Sequence, residues 1–539
     1  MKKIFTIIGA LAVASVAIAQ NQNNANTNMM KALANNPINK LVLAESAIRQ
    51  IYVDSVNEDK LVEDAIKGML KELDPHSVYT PAKEVQALTE PLKGNFEGIG
   101  IQYNMVEDTL VVVQPVSGGP SEKVGIMAGD RVVFVNDSSI AGQKLTTDDI
   151  KARLRGPKGS KVKLGVMRQG VKGIHDFTVT RDKIPVYSID AKYMIDATTG
   201  YIRITNFAQN THDEFVEAVK MLKDKGMTDL VLDLQGNGGG YLSAAVEISN
   251  EFLEAGDMIV FTEGRAMPRH DYKADGQGRL RTGKVVVLID SYTASASEIV
   301  SGAIQDNDRG VIIGRRSFGK GLVQRPIDFP DGSMVRLTIA HYYSPSGRCI
   351  QKPYEKGQGT DYNKDLQKRL DSGELTNADS IHFADSLRFS TLKNHRTVYA
   401  AGGIMPDIYV PLDTTIMTRL YRELLVKSCL TQTNMKYIDQ NRKALKKQYK
   451  HFDDFKKNFE VGEDAINILK DCAAKAKVEY PDSDWQETMP LLKLQLKGLI
   501  ARDIWEISEY HEIVNKINDI YQRGIKVIKT EEYNDKLSN

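Results

Sequence analysis

The chain has 539 residues, 42% hydrophobic and 26% charged, which is room for three or four domains at roughly 150 residues each. Lys plus Arg (71) balance Asp plus Glu (70), so a net charge of +1 provides no field to attract nucleic acid or an anionic membrane. Three cysteines match neither a metal spacing nor a disulfide framework, which leaves buried thiols at Cys349, Cys429 and Cys472, or one Cys429–Cys472 bridge.

Met1-Lys-Lys3, an apolar run from Ile4 to Ile18 and Ala17-Ile-Ala19 before Gln20 predict a signal peptide over 1–19. The expected mature chain is exported and periplasmic, soluble or peripherally bound to the membrane. An uncleaved anchor is the alternative, disfavoured because a span needs about 20 apolar residues. Asn21–Asn28 reads as a polar lead-in, and helical spacing from Lys31 to Leu73 predicts two or three helices, giving a helical region over 20–92. Short β-type runs follow at 109–113, 131–135, 161–166 and 177–180, with helical pieces at 121–124 and 147–154; together they predict a strand-rich domain over 93–184. Strands then alternate with helices: 201–204, helix 212–225, strand 229–234, a glycine-rich loop, strand 284–289, helix 297–305 and strand 310–313. That alternation predicts an α/β core over 185–412. The rest, 413–539, is helix-patterned at 465–475, 490–507 and 513–528 and reads as a helical appendage.

Three stretches could carry chemistry. In Ser291-Tyr-Thr-Ala-Ser-Ala-Ser-Glu298 a serine heads a helix, where free N–H groups could receive an oxyanion. Capping of the helix by Ser295, with Glu298 reaching back, is the simpler reading of this stretch alone. None of the nine histidines is arranged as a base for it. Lys320, between Gly319 and Gly321 and among apolar runs, is a candidate base, because burial would lower its pKa from about 10.4. A solvated surface lysine is the commoner alternative. Asp233-Leu-Gln-Gly-Asn-Gly-Gly-Gly240 follows a strand, lacks both phosphate-loop spacings, and suits an anion-binding loop.

Together these stretches resemble the C-terminal processing peptidases, or tail-specific proteases: an Asp-Leu strand into an Asn-Gly-Gly loop, Ser-Ala-Ser-Glu, and Phe-Gly-Lys-Gly ending in Gln324. The resemblance implies Ser295 as nucleophile, Lys320 as base and Gln324 as its orienting partner, with oxyanion donors at Ala296 and in the Gly238–Gly239 loop. Asp306 matches an acidic position of the family and is read, like His76 and Asp407, as support of the fold. Gly98-Ile99-Gly100-Ile101 and the run from Gly119 to Asp130 resemble a PDZ domain, implying that these loop residues hold a substrate's terminal carboxylate as the peptide adds to a sheet edge. The implied fold is multidomain α/β, with N-terminal helices, a PDZ-like domain, a crotonase/Clp-like protease core and C-terminal helices. Gln235 departs from the family's usual arginine.

The expected function is therefore an exported serine endopeptidase acting on proteins with apolar C-termini, with no metal or nucleotide cofactor and no nucleic acid partner. Family likeness makes the terminal helices expected homodimer surfaces, and an adaptor is left open. A non-catalytic peptide-binding scaffold is the first rival. An esterase or amidase of small substrates is the second.

Overall fold

A computed structural model describes residues 36–357, 362 and 364–538. The predicted signal peptide and polar lead-in lie outside them. Contacts divide the chain into two units, the first comprising residues up to Tyr79 with Glu355–Gly359 and the second the remainder. In the first unit, helix Pro37–Ile51 is capped by Asn36 and helix Glu58–Lys71 by Asn57, each side chain accepting a backbone N–H. Among the described residues no helix is long and apolar enough to cross a membrane.

The centre of the second unit is a six-stranded sheet in sequence order: β1 (Ile189–Met194), β2 (Thr199–Ile204), β3 (Asp229–Asp233), β4 (Val285–Ile289), β5 (Val311–Gly314) and β6 (Ile408–Tyr409). β1 is antiparallel to β2 and the remaining pairs are parallel. Parallel strands require crossovers, supplied after β2 by helix Thr211–Asp224 and between β4 and β5 by helix Ala296–Asp306. All five residues of β4 are buried, as expected for a strand covered on both faces. Alternate strand residues (Leu230, Leu232, Val285, Val287) join a core with these crossover helices. Their neighbours Val231, Val286, Leu288 and Ile313 pack against Ile520, Tyr521, Val527 and Tyr533.

The helices Asp519–Ile528 and Glu532–Ser538 thus form the sheet's second covering layer, although the sequence suggested an appendage from 413 onward. Helices Cys429–Gln448, Glu463–Lys475 and Asp482–Ile504 form a bundle with an apolar core of its own. The expected helix over 513–528 is interrupted at Asn515–Asn518, where the Asn518 side chain caps the next helix. The three cysteines are free thiols. Burial, with the neighbouring Cys472 thiol, pushes Cys429 up to about 12.

The PDZ-like domain holds five strands in one path, with Ile101–Val106 at one edge. Its helix Thr147–Leu154 begins with a Thr146–Asp149 capping box. Arg131 of this domain pairs with Asp439 of the bundle at 2.8 Å, and Arg442 donates to the Val113 carbonyl at 3.4 Å, so the bundle braces the domain.

Candidate active site

The loops that follow β3 and β4 emerge side by side at the carboxyl end of the parallel strands, where ligand sites of such sheets form. Ser295 sits at the turn from β4 into helix Ala296–Asp306 with φ 58° and ψ −117°. An L-residue there stores about 1–3 kcal/mol, which surrounding bonds must offset. Its N–H donates to Glu298 Oε2 at 2.8 Å. The neighbouring Ser297 is fully buried and donates its hydroxyl to Asn237 O at 3.0 Å, so that serine is committed to the fold and Ser295 is the half-exposed one.

The glycine loop is fastened to this turn from three sides. Ala294 N–H donates to Asn237 O at 2.9 Å, Thr293 Oγ1 to Leu234 O at 2.9 Å, and Gly236 N–H to Asp290 Oδ1 at 3.0 Å. Gly239 has φ +99°, and a Cβ there would lie 2.7 Å from Ser295 Cβ and 2.9 Å from Ala296 N, so only glycine fits. Of the two loop glycines expected as oxyanion donors, Gly239 gives its N–H to Asn237 Oδ1 at 2.8 Å. That bond removes it as a donor. Gly238 is exposed and makes no backbone hydrogen bond among the described residues.

Lys320 is half-buried, and its Nζ lies 2.9 Å from Gln324 Oε1. Gly319 and Gly321 flank it on either side. They let the turn pack closely: a Cβ on Gly319 would meet Gly403 N at 3.0 Å, and one on Gly321 would meet Gln351 N at 2.9 Å.

Glu298 joins the two halves. Its Oε2 accepts from Ser295 N–H (2.8 Å) and Lys320 N–H (2.9 Å), and its Oε1 from Gly319 N–H (2.7 Å) and the Ser317 hydroxyl. One buried carboxylate oxygen therefore holds the main chains of both residues. Burial pushes this carboxyl up, opposed by the four donors, each of which favours the ionised form. The sequence pattern pointed only to the capping half of this role.

At the far end of the same helix the fully buried Asp306 pairs with Arg348 at 2.7 Å and accepts from Ser344 and Ser346. A helix of eleven residues separates it from Ser295 by roughly 16 Å. Its bonds tie strands and loops together, as do those of Asp407 to Arg396 (2.6 Å) and Ile312 N–H (2.7 Å). At Gln235, where the family usually has arginine, an arginine arrives from the adjacent strand. Arg203 reaches Gln235 O at 3.3 Å, pairs with Asp190 at 2.6 Å, and lies 3.8 Å from Asp233.

In the PDZ-like domain the carbonyls of Ile99 and Gly100 turn inward, accepting from Ser121 N–H (3.1 Å) and Val116 N–H (2.9 Å). The Ile99 side chain belongs to the domain's core, so this residue offers its backbone. Ile101 begins the edge strand, and Gly98 ends the preceding strand, paired with Asp182.

In comparison with known proteins, residues 198–362 match peptidase family S41, 98–183 a PDZ domain, 5–84 the N-terminal domain of the activating protease CtpB, and 420–506 a family of unknown function. The chain is 36% identical over 344 residues to carboxy-terminal processing protease CtpA of Bacillus subtilis, covering 62% of this chain and 73% of the relative. It is 38% identical over 360 residues to the carboxy-terminal-processing protease of Bartonella bacilliformis, covering 65% and 80%. Among solved structures it is similar to the photosystem II D1 C-terminal processing protease, at 30% identity over 57% of this chain and 89% of the other, with a TM-score of 0.33.

Proposed function

Since the chain belongs to peptidase family S41 and is a serine-type endopeptidase of the carboxy-terminal processing kind, we propose that it is exported and selects proteins by their apolar C-terminal tails, cleaving them with a Ser295–Lys320 dyad. The observation that carries the dyad is the shared Glu298 oxygen, which binds the backbone N–H of both residues while Gln324 meets Lys320 Nζ.

In this reaction neutral Lys320 takes the Ser295 proton, and the alkoxide attacks the substrate carbonyl. The oxyanion of the tetrahedral intermediate receives the N–H groups of Ala296 and Gly238. Collapse breaks the C–N bond, with the Lys320 proton passing to the leaving amine. Water, deprotonated by Lys320, then attacks the acyl-enzyme, and Ser295 leaves with its proton restored. Gln324 Oε1 accepts from Lys320 Nζ in either protonation state and so keeps it aimed.

Tail selection is supported by the edge strand Ile101–Val106 and the inward-turned carbonyls of the loop before it. The loop's N–H groups would take the carboxylate and the substrate would extend the sheet. A homodimer is supported by helix Pro37–Ile51, which buries none of its residues and leaves Leu43 67% and Ile51 81% exposed.

The test is degradation of an unfolded protein with an apolar C-terminal tail by wild type, Ser295→Ala and Lys320→Ala. Loss in both variants, with tail-peptide binding retained, is the expected result. Wild-type rates in either variant would overturn the dyad. Export is checked by the mass of the mature N-terminus after fractionation, expected to begin at Gln20.

A further inference from the structure

Tyr342 lies on strand Met334–Tyr343, some twenty residues beyond Lys320, in a stretch that no feature of the sequence connects with the site. Its ring is 3% exposed and packs in the core beneath the nucleophile helix. Its N–H donates to Gly321 O at 3.0 Å, which anchors its strand to the lysine turn. Its hydroxyl donates to the carbonyl oxygen of Lys320, and the carbonyl oxygen of Ser295 lies 3.1 Å from the same hydroxyl. The hydroxyl has a single proton. Ser295 O already accepts from Glu298 N–H (2.8 Å) and Ile299 N–H (3.0 Å), and Lys320 O is the nearer of the two carbonyls to the hydroxyl, so the proton belongs to Lys320.

We propose that Tyr342 is a positioning residue for the peptidase reaction, fixing the Lys320 peptide from the carbonyl side as Glu298 fixes it from the N–H side. The inference rests on the Ser295–Lys320 reading. With both polar main-chain atoms of Lys320 bound, its Cα–Cβ direction is set, and only side-chain torsions remain for Gln324 to hold. Without the hydroxyl, the peptide after Lys320 can turn, and a small rotation at the backbone becomes a displacement of about an ångström at the end of a four-carbon side chain. A misplacement of that size costs about 100-fold in rate. Tyr342 touches neither substrate nor the reacting atoms, so the effect is on turnover and not on substrate affinity.

The experiment compares wild type, Tyr342→Phe, Val335→Ala, Ser295→Ala and Lys320→Ala on a tail-bearing peptide, with kcat and KM determined separately and melting followed by circular dichroism. Val335 is a buried residue of the same strand, seven positions before Tyr342 and paired with Ile327, so it reports on lost stability. Labelling of Ser295 by a small sulfonyl fluoride reports nucleophile reactivity without tail binding. Y342F is expected to lose about 10- to 100-fold in kcat and in labelling rate, with KM within about twofold. V335A, melting as low or lower, is expected to keep wild-type kcat. If Y342F retains kcat within twofold while S295A and K320A are inactive, the positioning role is wrong and the dyad stands. Should V335A lose as much kcat as Y342F, the effect is one of stability and the proposal is likewise overturned. Activity in S295A or K320A overturns the dyad itself, whatever Y342F does.

Discussion

Replacing Glu298 by Gln keeps shape and volume but exchanges one acceptor oxygen for an NH2 group. In one amide orientation that NH2 faces the N–H groups of Ser295 and Lys320, leaving two buried donors unpaired. In the other it faces Gly319 N–H and the Ser317 hydroxyl, whose oxygen already accepts Ile404 N–H at 2.6 Å. The second orientation is the cheaper one. It strands the Gly319 N–H at a cost of about 1–3 kcal/mol and weakens the two surviving bonds by about 1 kcal/mol each through loss of charge. Part is regained, because burying an amide costs less than burying a carboxylate whose pKa burial has already raised. A net of about 2–4 kcal/mol, expressed as lost alignment of the two main chains, is roughly 30- to 1000-fold in kcat. KM should hold, since Glu298 belongs to neither the PDZ-like loop nor its edge strand. The assay is steady-state cleavage of a tail-bearing fluorogenic peptide, alongside melting curves that confirm a folded core. A folded E298Q with kcat within threefold of wild type would refute the reasoning, because it would mean that the dyad is aligned without this clamp.

Gly239→Ala places a methyl 2.7 Å from Ser295 Cβ on a backbone at φ +99°; cleavage should fall at least about 100-fold while calorimetric affinity for a tail peptide is unchanged. Asp306→Ala leaves Arg348 charged and fully buried, and should cost the core about 3–5 kcal/mol in denaturant unfolding, with Asp306→Ala/Arg348→Met recovering part of it. His212 is held above its usual pKa by its 2.8 Å bond to Glu251. The stabilisation from that raised pKa is fully present below about pH 6.5 and is lost as pH rises through the folded value. His212→Ala should therefore destabilise more at pH 6 than at pH 9, by about 1 kcal/mol for this half-buried pair, and equal losses at both pH values would contradict the assignment.

The parts legible in the sequence were those with a strong local signal. β3 and β4 are continuous apolar runs between turn residues, and helix Thr147–Leu154 has its capping box written beside it. The hairpin ending in Met267–Lys273 was not legible, because that strand is polar and exposed and shows no apolar alternation. Helical spacing marked the last helices but could not say which surface they cover. Glu298 was visible as a cap because its partner Ser295 is three residues away, whereas its bonds to 317–320 cross about twenty residues. Ser295 and Lys320 were recognisable by their company. Gly239's engagement with Asn237 and the arrival of Arg203 beside Gln235 depend on how adjacent strands align, and no local pattern encodes that.

The covering of β4 by distant helices sets an order of events in folding. Val285 N–H finds its acceptor in the Tyr533 hydroxyl 248 residues further along, and the Lys284 ammonium donates to Ile528 O across 244. Closing a loop of that length is entropically unfavourable until the intervening bundle has folded and shortened it. During synthesis the sheet that aligns the glycine loop with Ser295 therefore remains bare on one face until these last helices arrive. A chain without these helices would carry every residue of the dyad and still expose Val231, Val286, Leu288 and Ile313 to water, so the cover that keeps the sheet dry lies far from the residues that do the chemistry.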